Sequence, residues 1–286
     1  MSAGYDNQGM RRGGRSLLMR FVPILIGLAM IGWIAVKGCQ RGPLGRMQIV
    51  GMNPQEEKAL GLQAFEETLS DAKVVQGMQA EEVKAIAARL IAATKDPAFL
   101  QAAGLKPQDM DWQVEVVDSP EVNAFCLPGG KMVVYTGIIP IAKTEAGLAT
   151  VLGHEISHAL GRHGSERMAS TQMAQIAVNS AGASISDLDP AQREGILRTL
   201  NAGAKYGILH YGRKHESEAD HLGLFLMATA GFDPKESIEF WGRMQEATGN
   251  VKGQPEFMAT HPSHETRIRD LSGWMPEAEK LYQARK

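Results

Sequence analysis

Cysteine is nearly absent: Cys39 and Cys126 are the two in 286 residues. That excludes a disulfide framework and any Cys-x-x-Cys metal pair. Cys126 reads as a small buried hydrophobe. Internal repeats are missing, and with 44% apolar and 22% charged residues the composition excludes a disordered chain. Positive charge becomes scarce beyond residue 46. The first 46 residues hold Arg11, Arg12, Arg15, Arg20, Lys37, Arg41 and Arg46 against Asp6 alone; the remainder holds 23 basic and 31 acidic residues, a net −8. So acidic a body is not a nucleic-acid binder. A phosphate loop is absent too, because "PGGK" at 128–131 lacks the G-x-x-x-x-G-K-[ST] spacing.

What is present begins with an uncharged run, "FVPILIGLAMIGWIAV" at 21–36, between Arg20 and Lys37. With the preceding "SLLM" it reaches about 20 residues, the length that crosses a bilayer. A signal peptide would have the same basic leader, but no small-x-small cleavage site follows, and Lys37 spoils a lipoprotein-like reading of "AVKGC". The expected layout is a basic tail over 1–16, a transmembrane anchor over 17–37, a linker over 38–53 and one domain over 54–286. Four arginines before the run against three basic residues after it place the N-terminus inside.

Glycine and proline at 42, 43, 45, 51 and 54 mark the linker. Helices are expected from Pro54 and over 80–94. Strand-like segments then follow at 112–119, 122–127 and 131–139, the last two joined by the "PGG" turn at 128–130. From Thr144 onward the pattern is helical, with breaks near Gly164, Asp187–Pro190, Tyr211–Gly212, Gly231–Pro234 and His261–Pro262. The stretch 166–190 reads as a long helix and then a loop, with Met168 and Met173 placed in the core. A small antiparallel sheet followed by helices is an α+β fold.

The chemistry is concentrated in "VLGHEISHALGRHG" at 151–164. A spacing of four sets His154 and His158 on one helical face, where both imidazoles can bind one ion. Glu155 lies beside them as a base for the attacking water. Two imidazoles and one further protein ligand suit Zn2+, which lowers the pKa of bound water to about 7. A third histidine in the metzincin register would fall on Gly164; His163 is one residue early, about 100° off on a helix, and is read as structural. The third ligand is instead expected from "RKHESEADHLGL" at 213–224. Glu216 can ligate, and Asp220, one turn on, can hold a ligand histidine's free N–H. Glu218 lies about 200° around from Glu216 and should face elsewhere.

Five short motifs, "HEISH", "NAFCLPGG", "YTGI", "ESEADHLG" and "HPSHETRI", occur over about 120–270 in the order found in gluzincin metallopeptidases of the HtpX and CAAX-prenyl-protease type, peptidase family M48. The chain resembles the single-span members, the bacterial periplasmic quality-control proteases and mitochondrial Oma-type enzymes, more than the multi-span ones. The resemblance implies a mostly helical zincin-like domain with zinc on His154, His158 and Glu216 and with Glu155 as acid/base. It also implies His261 near the site, steadying an oxyanion or capping the metal at rest. Arg267, in the same motif, would pair with Asp220 or with substrate.

The expected function is membrane-anchored zinc endopeptidase action on unfolded or misassembled proteins, by Glu-assisted attack of zinc-activated water. The strand at 122–127 could pair with an extended substrate. The location implied is a bacterial inner membrane with the domain in the periplasm; a lipoprotein-like form and the mitochondrial inner membrane are the alternatives. A chaperone or assembly factor keeping the fold is the competing function. An aminopeptidase would need an acidic group to hold the substrate amine, and no motif supplies one.

Overall fold

A computed structural model describes residues 17–249, 261 and 266–285. The basic tail expected over 1–16 and most of the "THPSHE" stretch lie outside the described residues. The chain divides into two compact units, Met1–Lys37 with Thr171–Gly207 and Gly38–Ser170 with Ile208–Lys286.

In the first unit, helix α1 (Leu17–Gly38) carries the apolar run. It is long and apolar enough over Met19–Gly38 to cross a membrane. Leu25, Leu28 and Trp33 are all more than half exposed, as lipid-facing side chains are. Here α1 meets the C-terminal half of α7 (His163–Ser184), and Gly27 lets Ser180 and Ile176 come close. Near its start, Arg20 pairs with Asp187, and its carbonyl accepts a bond from the Ser184 hydroxyl.

The second unit opens with a β-hairpin, β1 (Cys39–Arg41) and β2 (Met47–Ile49), paired antiparallel. This corrects the linker reading of 38–53: glycine and proline here shape a tight turn, and Gln48 and Val50 are buried. Helix α2 (Pro54–Ser70) starts on a capping box, in which Asn53 Oδ1 accepts from the Gln55 and Glu56 N–H groups while Glu56 accepts from the Asn53 N–H. Helices α3 (Met78–Ala93) and α4 (Pro97–Ala103) follow.

Strands β3 (Gln113–Val117), β4 (Ala124–Leu127) and β5 (Lys131–Tyr135) lie in the order β3-β5-β4. The turn between β4 and β5 uses Gly129 and Gly130 at φ 80 and 97, where a Cβ would be strained. The sheet is mixed rather than purely antiparallel: β4 runs antiparallel to β5, but β3 pairs with β5 in parallel. The loop from β3 to β4 carries the chain past β5, so β3 and β4 occupy opposite edges.

Helices α5 (Ile139–Ala142), α6 (Glu145–Leu160), α7, α8 (Pro190–Thr229), α9 (Glu236–Gly249) and α10 (Arg267–Gln283) complete the chain. The break expected at Tyr211–Gly212 does not occur, since α8 runs unbroken for 40 residues. A glycine inside a helix costs only about 1 kcal/mol relative to alanine, too little to end one without a proline. Met168, expected in the core, is 48% exposed. The core gathers α3, α6, the end of α8 and α9 with the sheet, with Leu90, Phe99, Val134, Leu152, Leu226 and Phe240 fully enclosed. Helix α6 is buried on every side from Gly147 to Leu160, so its polar residues need partners inside the protein.

Candidate metal centre

Thr144 caps α6 by accepting from the Gly147 N–H, and from there the helix carries His154 and His158 inward on one face. Their Nε2 atoms come within 3.0 Å of each other. Helix α8 crosses α6 at a pair of glycines. A Cβ on Gly223 would stand 3.0 Å from the His154 nitrogen, and one on Gly153 would stand 3.2 Å from the Gly223 carbonyl oxygen. That crossing brings Glu216 to both rings, 3.3 Å from His154 Nε2 and 3.4 Å from His158 Nε2. Gly223→Ala should therefore push the helices apart. We expect a loss of about 1–3 kcal/mol in denaturant unfolding, the scale of overpacking, with weaker zinc binding in a chelator competition.

A fourth donor, His261, joins the group. Its Nδ1 lies 3.1 Å from Glu216 Oε2 and 3.3 Å from His154 Nε2. Do these residues fit a zinc ion? Donors about 2.0–2.1 Å from a tetrahedral centre stand about 3.3–3.4 Å apart, and five of the spacings here run from 3.0 to 3.4 Å. The Nδ1 of His154 faces Asp220 Oδ1 at 2.9 Å, which aims the other ring nitrogen at the cluster. Three imidazole nitrogens and a carboxylate converging on one point is the donor chemistry of zinc.

Charge supports the same reading. Burial pushes the Glu216 carboxyl up, but His158, His154 and His261 outweigh it and hold it well below the usual range. Burial also presses the His154 imidazolium down, yet Asp220 and Glu216 prevail and lift it to about 10. Metal binding there has to displace that proton. His158 is held well below the usual histidine range, chiefly by burial. Glu155 stands apart: burial raises its pKa. Its Oε1 lies 3.5 Å from His261 Nε2 but has no hydrogen-bond partner among the described residues.

Around this group the ligands are braced from two directions. On one side Arg267 donates to Asp220 Oδ2 at 2.6 Å and to Glu216 Oε2 at 3.2 Å, with its guanidinium 3.8 Å above the Trp241 ring. Trp241 also meets the His154 ring edge-on, with centroids 5.6 Å apart. On the other, His163 Nδ1 lies 2.8 Å from His158 Nδ1 and its Nε2 lies 2.9 Å from Glu218 Oε1. Arg162, at φ 56, turns the chain sharply between α6 and α7 so that His163 comes back beneath His158.

The structure thus places His154, His158, Glu216 and His261 together, with Glu155, Asp220 and Arg267 in contact with them. Asp220 meets His154, and Arg267 pairs with Asp220. Sequence reasoning missed Trp241, Arg46 and Glu166, and gave Glu218 no part. For Glu166 and Glu218 the available signal was the charge density of "RHGSER" and "RKHESEAD", since charges so close to a metal histidine need partners; nothing comparable marked Arg46 or Trp241.

The pattern of peptidase family M48 matches residues 78–275. The mitochondrial metalloendopeptidase OMA1 of Schizosaccharomyces pombe is 43% identical over 171 residues, 60% of this chain and 49% of that protein. The human mitochondrial metalloendopeptidase OMA1 is 34% identical over 206 residues, 70% of this chain and 38% of that protein. The beta-barrel assembly-enhancing protease of Yersinia pestis is 32% identical over 159 residues, 54% of this chain and 32% of that protein. The chain spans about half or less of the length of these relatives.

Proposed function

Because the chain belongs to peptidase family M48, we propose that it is a zinc-dependent metalloendopeptidase, anchored by α1, that cuts unfolded or misassembled proteins in cell-envelope quality control. The observation that carries this reading is Glu155: a buried carboxyl with a raised pKa and an oxygen that has no partner among the described residues, beside four converging donors.

His154, His158 and Glu216 would hold the zinc. A zinc ion there supplies Lewis-acid polarisation of the scissile carbonyl and makes water a competent nucleophile at neutral pH. Glu155 takes the proton of the attacking water and passes it to the leaving amine. Asp220 fixes the His154 tautomer, and Arg267 fixes Asp220. Strand β4 lies at a sheet edge and packs along α6, which supports the pairing of an extended substrate there through main-chain bonds. That mode is sequence-tolerant, as recognition of unfolded segments requires. The basic residues ahead of α1 support a cytoplasmic N-terminus. In a bacterium the domain then faces the periplasm; the alternative is the mitochondrial inner membrane, for which the relatives' names support the mitochondrion.

The fourth donor favours a second reading, since four protein ligands are the mark of a structural zinc and a non-catalytic chaperone would keep them. In the catalytic reading His261 would be a fourth, replaceable holder of the metal, and His154, His158 and Glu216 would suffice to keep it. The test is casein hydrolysis by the full chain in detergent, with and without a chelator, for wild type and His261→Ala. We expect chelator-sensitive cleavage that rises several-fold in His261→Ala. Zinc binding without any cleavage in either protein would establish the non-catalytic reading.

A further inference from the structure

The hairpin that directly follows the apolar helix reaches the metal site. Arg46, in the turn between β1 and β2, donates from Nε to Glu218 Oε2 at 2.7 Å and from its terminal nitrogens to both oxygens of Glu166 at 2.8 Å. Glu166 also meets His215 Nε2 at 3.0 Å, and the His215 ring stacks on His163 with centroids 4.4 Å apart. All these groups except Arg46 are buried, and Arg46 is three-quarters covered.

From Arg46 a continuous chain of hydrogen bonds runs inward: Arg46 to Glu218, Glu218 to His163 Nε2, His163 Nδ1 to His158 Nδ1. The proton positions along it are fixed from both ends. His158 can offer its Nε2 lone pair to a metal only if its proton sits on Nδ1. His163 Nδ1 must then accept, so the His163 proton sits on Nε2 and points at Glu218. A carboxylate only accepts, and the fork of Arg46 holds it in place. A single assignment of protons satisfies every link.

Building on the zinc reading above, we infer that Arg46, Glu218 and His163 are positioning residues that set the His158 tautomer, so that the segment joining the membrane helix to the domain is part of the metal site. A fragment cut after Arg46 leaves the outer end of this relay behind.

The test compares zinc affinity, by competition with a chelating dye, of the full chain in detergent for wild type, Arg46→Met, His163→Phe and the double variant. The visible spectrum of the cobalt(II)-loaded proteins is the second readout. Loss of an outer partner of a metal histidine typically costs about 10–100-fold in affinity. We expect losses of that order in both single variants, with a shifted cobalt band, and no further loss in the double variant, because Arg46 acts through His163. Fully multiplicative losses, or wild-type affinity and spectrum in Arg46→Met, would overturn the inference. If His163→Phe does not fold, Arg46→Lys replaces it: lysine keeps the charge but not the fork, and should fall between wild type and Arg46→Met. Equal affinity of all three overturns the inference while leaving the zinc reading intact. A wild-type chain that binds no zinc removes both.

Discussion

Glu155→Gln is expected to keep its zinc and lose turnover by about 10²–10⁴-fold, the usual worth of a positioned general base. The substitution is nearly isosteric, and Glu155 is not among the four converging donors, so metal content measured by elemental analysis should not change. What disappears is an oxygen able to accept a proton from the attacking water. The sign of the pH effect follows from the buried environment. Burial raises the pKa of Glu155, and the base works in its ionised form. In the wild type the acid limb of kcat/KM should therefore lie above the ordinary carboxylate range, with activity lost as pH falls through that pKa. Whatever cleavage remains in Glu155→Gln should lack the limb. A variant that loses zinc along with activity would make Glu155 a ligand instead, and one that still cleaves at the wild-type rate would take away its role altogether.

How much of this was legible beforehand depends on how local each feature is. His154 and His158 could be read directly because a spacing of four on one helix fixes their mutual geometry. Glu216 required a choice among acids in a later helix, settled by helical phase: Glu218, two residues on, does face away from the metal group. Yet that same phase places Glu218 against His163, and so a residue set aside on geometric grounds contacts a ligand's partner. His261 entered only through family resemblance, since a loop histidine beside a proline has no periodicity to betray it. Arg46 was invisible for a different reason. It sits among glycines and a proline, the composition of a linker, and its partners lie 120 and 172 residues away. The parallel pairing of β3 with β5 escaped likewise, because alternation reports that a strand exists but not which neighbour it chooses. The unbroken α8 shows the opposite error, in which isolated glycines were given more weight than about 1 kcal/mol allows.

Arg267→Met should be the most damaging single change to stability outside the ligands. Arg267 is 2% exposed, and its guanidinium, together with the His154 ring, faces both Asp220 and Glu216. Burial would raise the Asp220 carboxyl; the Arg267 charge and the His154 hydrogen bond and charge oppose it, and together they leave its pKa lowered. A depressed carboxylate pKa contributes stability above the unfolded-state pKa and loses it as pH falls through the folded-state value. Methionine fills much of the volume but leaves two buried carboxylates short of a partner, a loss of about 3–5 kcal/mol when one side of a buried pair is removed. Contact with the Trp241 face goes as well. For a domain of this size the melting temperature should fall by roughly 10 °C at fixed zinc concentration. Because Asp220 holds His154, zinc affinity should drop too, by about 10–100-fold. Arg267→Lys separates the two contributions: it restores a charge beside Asp220 without the second nitrogen that reaches Glu216, and so should recover much of the stability and less of the metal binding. A melting temperature for Arg267→Met within a degree or two of wild type would mean that the carboxylates are neutralised by the histidines alone, and that α10 is held by its apolar face rather than by this pair.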